Sequence, residues 1–235
     1  NNQEKIVSIF NDISPTYYRA NRVYSKGVDT FWRRKACDLA YGYCADKRLD
    51  SIVDVACGTG DMMGYWKRQG EKAELTIGEI VGVDPSEGMV AVGKEKFPDL
   101  TFHIAPATEL PKADATADIV SISYGIRNVV EREKALREFN RVLKPGGLVV
   151  ILEFMKNETP SFLGKVRDWY MNTILPRIGG LISKNYEAYR YLPDSIHGFL
   201  SVGMMANELE EAGFEMLYTE SFSMDISTLM IARKK

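Results

Sequence analysis

Between residues 51 and 154 short apolar runs alternate with amphipathic stretches. That pattern constrains the fold more than any other feature of the chain, because runs with no polar face need cover on both sides, and helices between successive strands supply it. The runs are 52–56, 80–84, 100–104, 118–122 and 148–154. Between the last two, Ala135, Leu136, Phe139, Val142 and Leu143 recur at helical spacing, Glu133 stands four residues before Arg137, and Lys144-Pro145-Gly146-Gly147 is expected to stop the helix. Five parallel strands of a doubly wound sheet are predicted. Residues 1–50 read as a helical cap. A helix is expected over 202–212, with Gly213 as its stop, followed by runs 214–217 and 228–233 that are close enough to pair antiparallel. Residues 157–197 differ in character, rich in Tyr, Arg and Leu and carrying Pro160, Pro176 and Pro193. They are expected to form a helical insertion.

At 235 residues and 45% hydrophobic content the chain suits one domain. Residues 1–235 are assigned to it as a cap (1–50), a cofactor-binding core (51–156), a helical substrate lid (157–200) and a C-terminal helix with a strand pair (201–235). Lys plus Arg number 30 against 32 Asp plus Glu, a net charge of -2. No global field favours nucleic acid, and the densest basic region, Arg19, Arg22, Lys26, Arg33, Arg34 and Lys35, is expected to be a solvated helix face. Three cysteines without CxxC spacing and two histidines make no common zinc site, so no metal is expected; Cys37 and Cys44, seven apart, are expected on one apolar helix face, and His103 inside a buried strand. The N-terminus lacks a signal-peptide apolar region and no run of about 18 apolar residues occurs. A cytoplasmic location follows as the expectation, with transient contact at the inner membrane surface through the apolar residues of 174–182.

Residues 52–61, Ile-Val-Asp-Val-Ala-Cys-Gly-Thr-Gly-Asp, carry an apolar strand into a glycine turn and a helix start, which places a ligand at the strand's carboxyl end. Asp54, Cys57, Gly58, Thr59 and Gly60 are therefore candidate contacts. Asp84 ends the next strand 24 residues beyond Gly60, where a carboxylate can accept both hydroxyls of a ribose, although Pro85, Ser86 and Glu87 would equally suit Asp84 as a helix N-cap. Pro85 and Met89 follow it on the same rim. Pro106, Ala107 and Thr108 come after the third strand and Ser123 and Tyr124 after the fourth, so four loops converge. The first turn has Ala56 two residues before Gly58 and no third glycine after Gly60, which favours S-adenosyl-L-methionine over NAD.

The stretch 54–61, together with Tyr124-Gly125-Ile126-Arg127-Asn128-Val129 and Arg141-Val142-Leu143-Lys144-Pro145-Gly146-Gly147, resembles the UbiE/MenG family of quinone C-methyltransferases. Phe10, Ile13, Tyr17, Asn21, Ser25 and Trp32 fall at the spacing of that family's first signature. Tyr18 stands in place of its usual acid, Asp29 in place of its usual His, and Met155 in place of a small polar residue after Glu153 and Phe154. The resemblance implies a Rossmann-like class I methyltransferase with a seven-stranded, mostly parallel sheet, an antiparallel terminal strand and helical lid insertions. It further implies methyl transfer to the ring carbon of a lipophilic quinol, with Thr59, Asp84, Ala107 and Ser123 at the cofactor-contact positions and Arg127 facing the reaction centre.

A ring carbon becomes nucleophilic when a hydroquinone hydroxyl loses its proton. Arg127 is the expected stabiliser of that phenolate, while Asp61 through water and His197 are the candidate bases. Tyr17, Tyr18, Tyr24, Phe31 and Trp32, with Trp169, Tyr170, Tyr186, Tyr189 and Tyr191, would roof an apolar pocket or pack among themselves. Two alternatives stay open, a methyltransferase of another small molecule and a noncatalytic cofactor-binding partner. A homodimer is compatible with either.

Overall fold

A computed structural model describes residues 2–11, 28–155, 198–222 and 227–235. Its elements in chain order begin with helix α1 (2–11), helix α2 (Val28–Tyr43), strand β1 (Arg48–Val55), helix α3 (Asp61–Lys72), strand β2 (Thr76–Asp84) and helix α4 (Glu87–Lys96). There follow strands β3 (Thr101–Ile104) and β4 (Ala117–Ser123), a 3-10 turn (Ile126–Asn128), helix α5 (Arg132–Val142), strand β5 (Leu143–Phe154), helix α6 (Val202–Glu211) and strands β6 (Phe214–Phe222) and β7 (Ser227–Lys234). The expected insertion at 157–197, with its aromatic residues and His197, lies outside the described residues, as do Tyr17, Tyr18 and Tyr24.

The strands form one sheet in the order β3-β2-β1-β4-β5-β7-β6. Neighbours from β3 to β5 are parallel, while β7 runs antiparallel to both β5 and β6. The last strand of the sequence is thus the reversed one, and it lies inside the sheet rather than at its edge. Successive side chains of a strand point to opposite faces, so the central strands feed two cores. Val53, Val120, Ile122, Val149 and Ile151 meet Leu136, Phe139 and Val142 of α5 and Met205 and Leu209 of α6 on one face. Ile52, Ile119, Val150, Leu152 and Ile231 meet Ala36, Cys37 and Tyr41 of α2 and Met62 and Trp66 of α3 on the other.

The helical stripe anticipated in α5 is buried throughout, and Glu133 and Arg137 form its exposed i,i+4 pair. The helix stops as expected, at Val142, and β5 starts at once at Leu143, so residues 144–147 lie within the strand, with Gly146 at φ 78° and a register shift between Ala117 and Ile119. Two other local expectations need correction. His103 is exposed, because β3 is an edge strand and of its four residues Phe102 alone is buried. Cys37 is fully buried on α2, but Cys44 falls one residue past the helix and is half-buried, its thiol donating to the Ala40 carbonyl.

Candidate active site

Strand order reverses direction at β1: the chain moves outward to β2 and β3, then returns to lay β4 on the other side. The loops leaving β1 and β4 must diverge there, and a crevice opens at the carboxyl ends of the strands. The loop after β1 follows an uncommon course, with Ala56, Gly58 and Gly60 at φ 50°, 53° and 81°. A Cβ on Gly58 would meet nothing within 4 Å, so this backbone faces open space, where a ligand can approach it closely. Across the crevice, Tyr124 is held at φ 57°, a costly conformation for an aromatic residue. Gly125 is required next to it, since a Cβ there would stand 2.6 Å from that of Ala56.

Asp84 joins the loops that follow β1 and β2. Its Oδ2 accepts from the Gly58 N–H and its Oδ1 from the Ser86 N–H, both at 2.8 Å. A carboxylate offers about four acceptor positions, so each oxygen keeps room for one ribose hydroxyl. Asp84 is not the helix cap; Ser86 is, its hydroxyl accepting from the Met89 N–H at 3.2 Å and donating to Asn11 Oδ1 at 2.6 Å. Asn11 belongs to α1, whose Gln3 accepts from the Val130 N–H at 3.0 Å. Helix α1 therefore spans the rim from the loop after β2 to the loop after β4.

Asp54, 1% exposed, ends a buried chain in which Trp66 Nε1 donates to Ser121 Oγ and Ser121 donates to Asp54 Oδ1, at 2.9 and 2.7 Å. Burial pushes the Asp54 carboxyl up to about 7, against the Ser121 hydrogen bond and the Arg33 charge. Burial likewise raises Asp84 against its two backbone donors. Two desolvated carboxylates in one crevice favour a cationic ligand. S-adenosyl-L-methionine, with a sulfonium, an ammonium and a ribose diol, fits that set of acceptors.

Of the other sequence-identified residues, Cys57, Thr59 and Met89 are buried, and Ala107 lies beneath the loop after β3 with Pro106 exposed beside it. Pro85 and Thr108 are half-buried on that rim, and Ser123 closes β4. Asp61 opens α3, bound by the Thr59 hydroxyl and the Lys96 ammonium. Arg127 sits in the 3-10 turn that follows Tyr124. Its Nη1 donates to Glu153 Oε1 and to the Tyr124 carbonyl, and the paired side chains are 7% and 0% exposed. Glu153 also accepts from the Phe154 N–H at 2.7 Å and the Arg127 N–H at 3.3 Å.

Sequence reasoning missed Arg33, Ser121, Trp66, Glu153 and Asn11. Arg33 carried a readable signal: it stands four residues before Cys37 and eight before Tyr41, on a stripe that is otherwise buried. Its side chain is 13% exposed and Lys35 next to it is half-buried, so the basic run is not a uniformly solvated face.

Residues 1–234 match the ubiE/COQ5 methyltransferase family. The Campylobacter jejuni protein named ubiquinone/menaquinone biosynthesis C-methyltransferase UbiE is 53% identical over 232 residues, covering 99% of this chain and 98% of that one. A demethylmenaquinone methyltransferase of Thermus thermophilus is 39% identical over 214 residues, covering 89% and 93%. Among solved structures, an S-adenosylmethionine-dependent methyltransferase of Mesorhizobium loti superposes with a TM-score of 0.58 at 19% identity, covering 84% of this chain and 96% of that one, a likeness of fold. With a family match across essentially its whole length and curated relatives of equal extent, this chain belongs to the ubiE/COQ5 methyltransferase family.

Proposed function

We propose that the protein C-methylates the ring of a reduced demethylmenaquinone with S-adenosyl-L-methionine, giving menaquinol, and that a reduced benzoquinone precursor of ubiquinol is a second acceptor. The observation that carries this reading is the full-length relation to the named C-methyltransferases, joined to a crevice whose carboxylates suit a cationic cofactor. When bound, the cofactor supplies an already activated methyl group.

The chain's part is to bind, align and exclude water. Asp84 holds the ribose hydroxyls while keeping the loops after β1 and β2 in register. Asp54, with Ser121 and Trp66 fixing its orientation, faces the positive charge of the amino-acid end. Gly58 and Gly60, with Cys57 and Thr59 between them, bring the backbone close enough to line the crevice. Asp61, which accepts from the Lys96 ammonium, relays the quinol proton through water; because the phenolate is the more basic partner this transfer is uphill, and the irreversible methyl transfer draws it forward. Arg127, bound to Glu153, serves first to fix the turn after Tyr124, which walls the acceptor side; a direct bond to the phenolate would divide its donors between two anions. His197 and residues 157–197, which the sequence offers for the acceptor side, lie outside the described residues. A membrane-surface approach through 174–182 would deliver the polyprenyl substrate. Among the described residues no helix is long and apolar enough to cross a bilayer.

The test is transfer of label from S-adenosyl-L-methionine to reduced demethylmenaquinone, with a reduced benzoquinone precursor in parallel and Asp84→Ala as control. Label in both acceptors, lost in the control, supports the dual reading. Label in menaquinol alone restricts it to that product. Cofactor binding with label in neither acceptor overturns the quinol assignment.

A further inference from the structure

Arg33 projects from α2 toward the crevice between β1 and β4. Its guanidinium carbon lies 5.3 Å from the centre of the Tyr124 ring, and it is within electrostatic reach of Asp61 and Asp54. Its Nε is buried and makes no hydrogen bond, and the nearest oxygen of Asp29 is 3.9 Å away, beyond hydrogen-bond range. A buried guanidinium N–H without an acceptor is costly unless a ligand supplies one. Among the described residues the groups facing it are acidic (Asp29 on α2, Asp61 on α3, Asp54 on β1) or aromatic (Tyr124), so the local balance tolerates a cation here but leaves a buried donor of its planar fork unused.

We propose that Arg33 binds the carboxylate of the amino-acid end of S-adenosyl-L-methionine, so that Arg33 and Asp54 together recognise its zwitterion. The inference rests on the cofactor reading above and extends it to a residue on the helical cap. A guanidinium near a sulfonium would be repulsive; directed at the carboxylate, it offsets the ligand's negative group while Asp54 takes the ammonium. The planar fork suits a carboxylate, where a lysine would act as a point charge.

The experiment is calorimetric titration of wild type, Arg33→Gln and Arg33→Lys with a ligand ladder: S-adenosylhomocysteine, decarboxylated S-adenosylmethionine and 5′-methylthioadenosine. The first carries the carboxylate, the second lacks it but keeps the ammonium, and the third lacks the whole amino-acid end. Arg33→Gln is expected to weaken S-adenosylhomocysteine on the order of 10- to 100-fold, as for loss of a charge-assisted hydrogen bond, with the other two changed less than about threefold. Arg33→Lys should recover part of the loss. Equal weakening of all three ligands would show a structural role and overturn the proposal. Unchanged affinity with a reduced rate of methyl transfer would move Arg33 to the acceptor instead. If Arg33→Gln does not fold, Arg33→Lys carries the same comparison, with selective weakening of S-adenosylhomocysteine required. Failure of wild type to bind any member of the ladder would refute the cofactor reading itself, a result distinct from loss of discrimination in the variants.

Discussion

Replacing Arg127 with methionine separates two roles that its sequence position leaves mixed. The side chain is 7% exposed and paired with a Glu153 that is fully buried, so the substitution strands a carboxylate in the interior. Removing one partner of a buried ion pair costs about 3–5 kcal/mol. Glu153 would keep the Phe154 N–H at 2.7 Å and the residue-127 N–H at 3.3 Å, which puts the cost near the lower end of that range. For a chain of this length about 3 kcal/mol lowers Tm by roughly 6–12 °C. Glu153→Gln in the same chain removes the stranded charge and keeps one acceptor oxygen, enough for the Phe154 amide at the cost of the longer bond from residue 127, so the double variant should recover most of the loss, to within about 1–2 kcal/mol of wild type. Urea titration of the four proteins of the cycle, with thermal melts beside it, measures the coupling, and single-turnover methyl transfer by the double variant reports chemistry. A coupling near zero with Tm unchanged would refute the structural assignment. If the double variant is stable but transfers methyl groups more than about a hundredfold more slowly, the guanidinium acts at the reaction centre.

Other outcomes follow from the crevice. Asp54, raised to about 7 by burial, is protonated in the empty protein below that pH, and a cationic cofactor requires it ionised. Affinity for S-adenosylhomocysteine should therefore fall as pH drops from 7 to 5, by up to about tenfold per unit, with proton release visible as a buffer-dependent binding enthalpy; Asp54→Asn should flatten the profile. The same shift makes the empty protein less stable as pH rises toward and through 7, because the native state holds a proton that the unfolded state has already lost from its ordinary value upward; urea midpoints at pH 5.5 and 8 test this sign, which Asp54→Asn should abolish. Gly58→Ala, at φ 53° and facing open space, should cost stability only about 1–2 kcal/mol yet weaken cofactor binding far more. Gly125→Ala should do the reverse, because its Cβ would press on Ala56; denaturation and titration of both variants check the contrast.

Strand β3, an edge strand with Phe102 alone buried, was legible only as a short apolar run, whereas β1, β2, β4 and β5 were legible because each is buried on both faces where it crosses the core, as 52–55 and 148–153 show. Their beginnings were not. Thr76 and Glu79 of β2 are exposed and precede the apolar run at 80–84, while the Pro-Gly-Gly that follows the end of α5 lies within a strand that has already begun. Asp84 was found from its position at a strand end, but its cap role passed to Ser86, a choice between adjacent polar residues that depends on where the helix turns. Glu153 escaped notice because one acid in an apolar run has no periodic signature; only its distant partner Arg127 explains it. The same holds for Ser121 and Trp66, linked by a hydrogen bond across 55 residues of sequence.

Helix α1 crosses the rim with Asn11 at the loop after β2 and Gln3 at the loop after β4, while the seven strands and both cores assemble without it. Ile6, Val7, Ile9 and Phe10 of this helix are half-buried, so its removal should lower the melting temperature modestly and shorten the residence time of the cofactor far more, since ligand exit would no longer require those attachments to let go. A preparation trimmed by a protease over 2–11 would still fold and yet lose its ligand on dilution, so the state of the first helix should be verified before any affinity of this protein is compared with that of a relative.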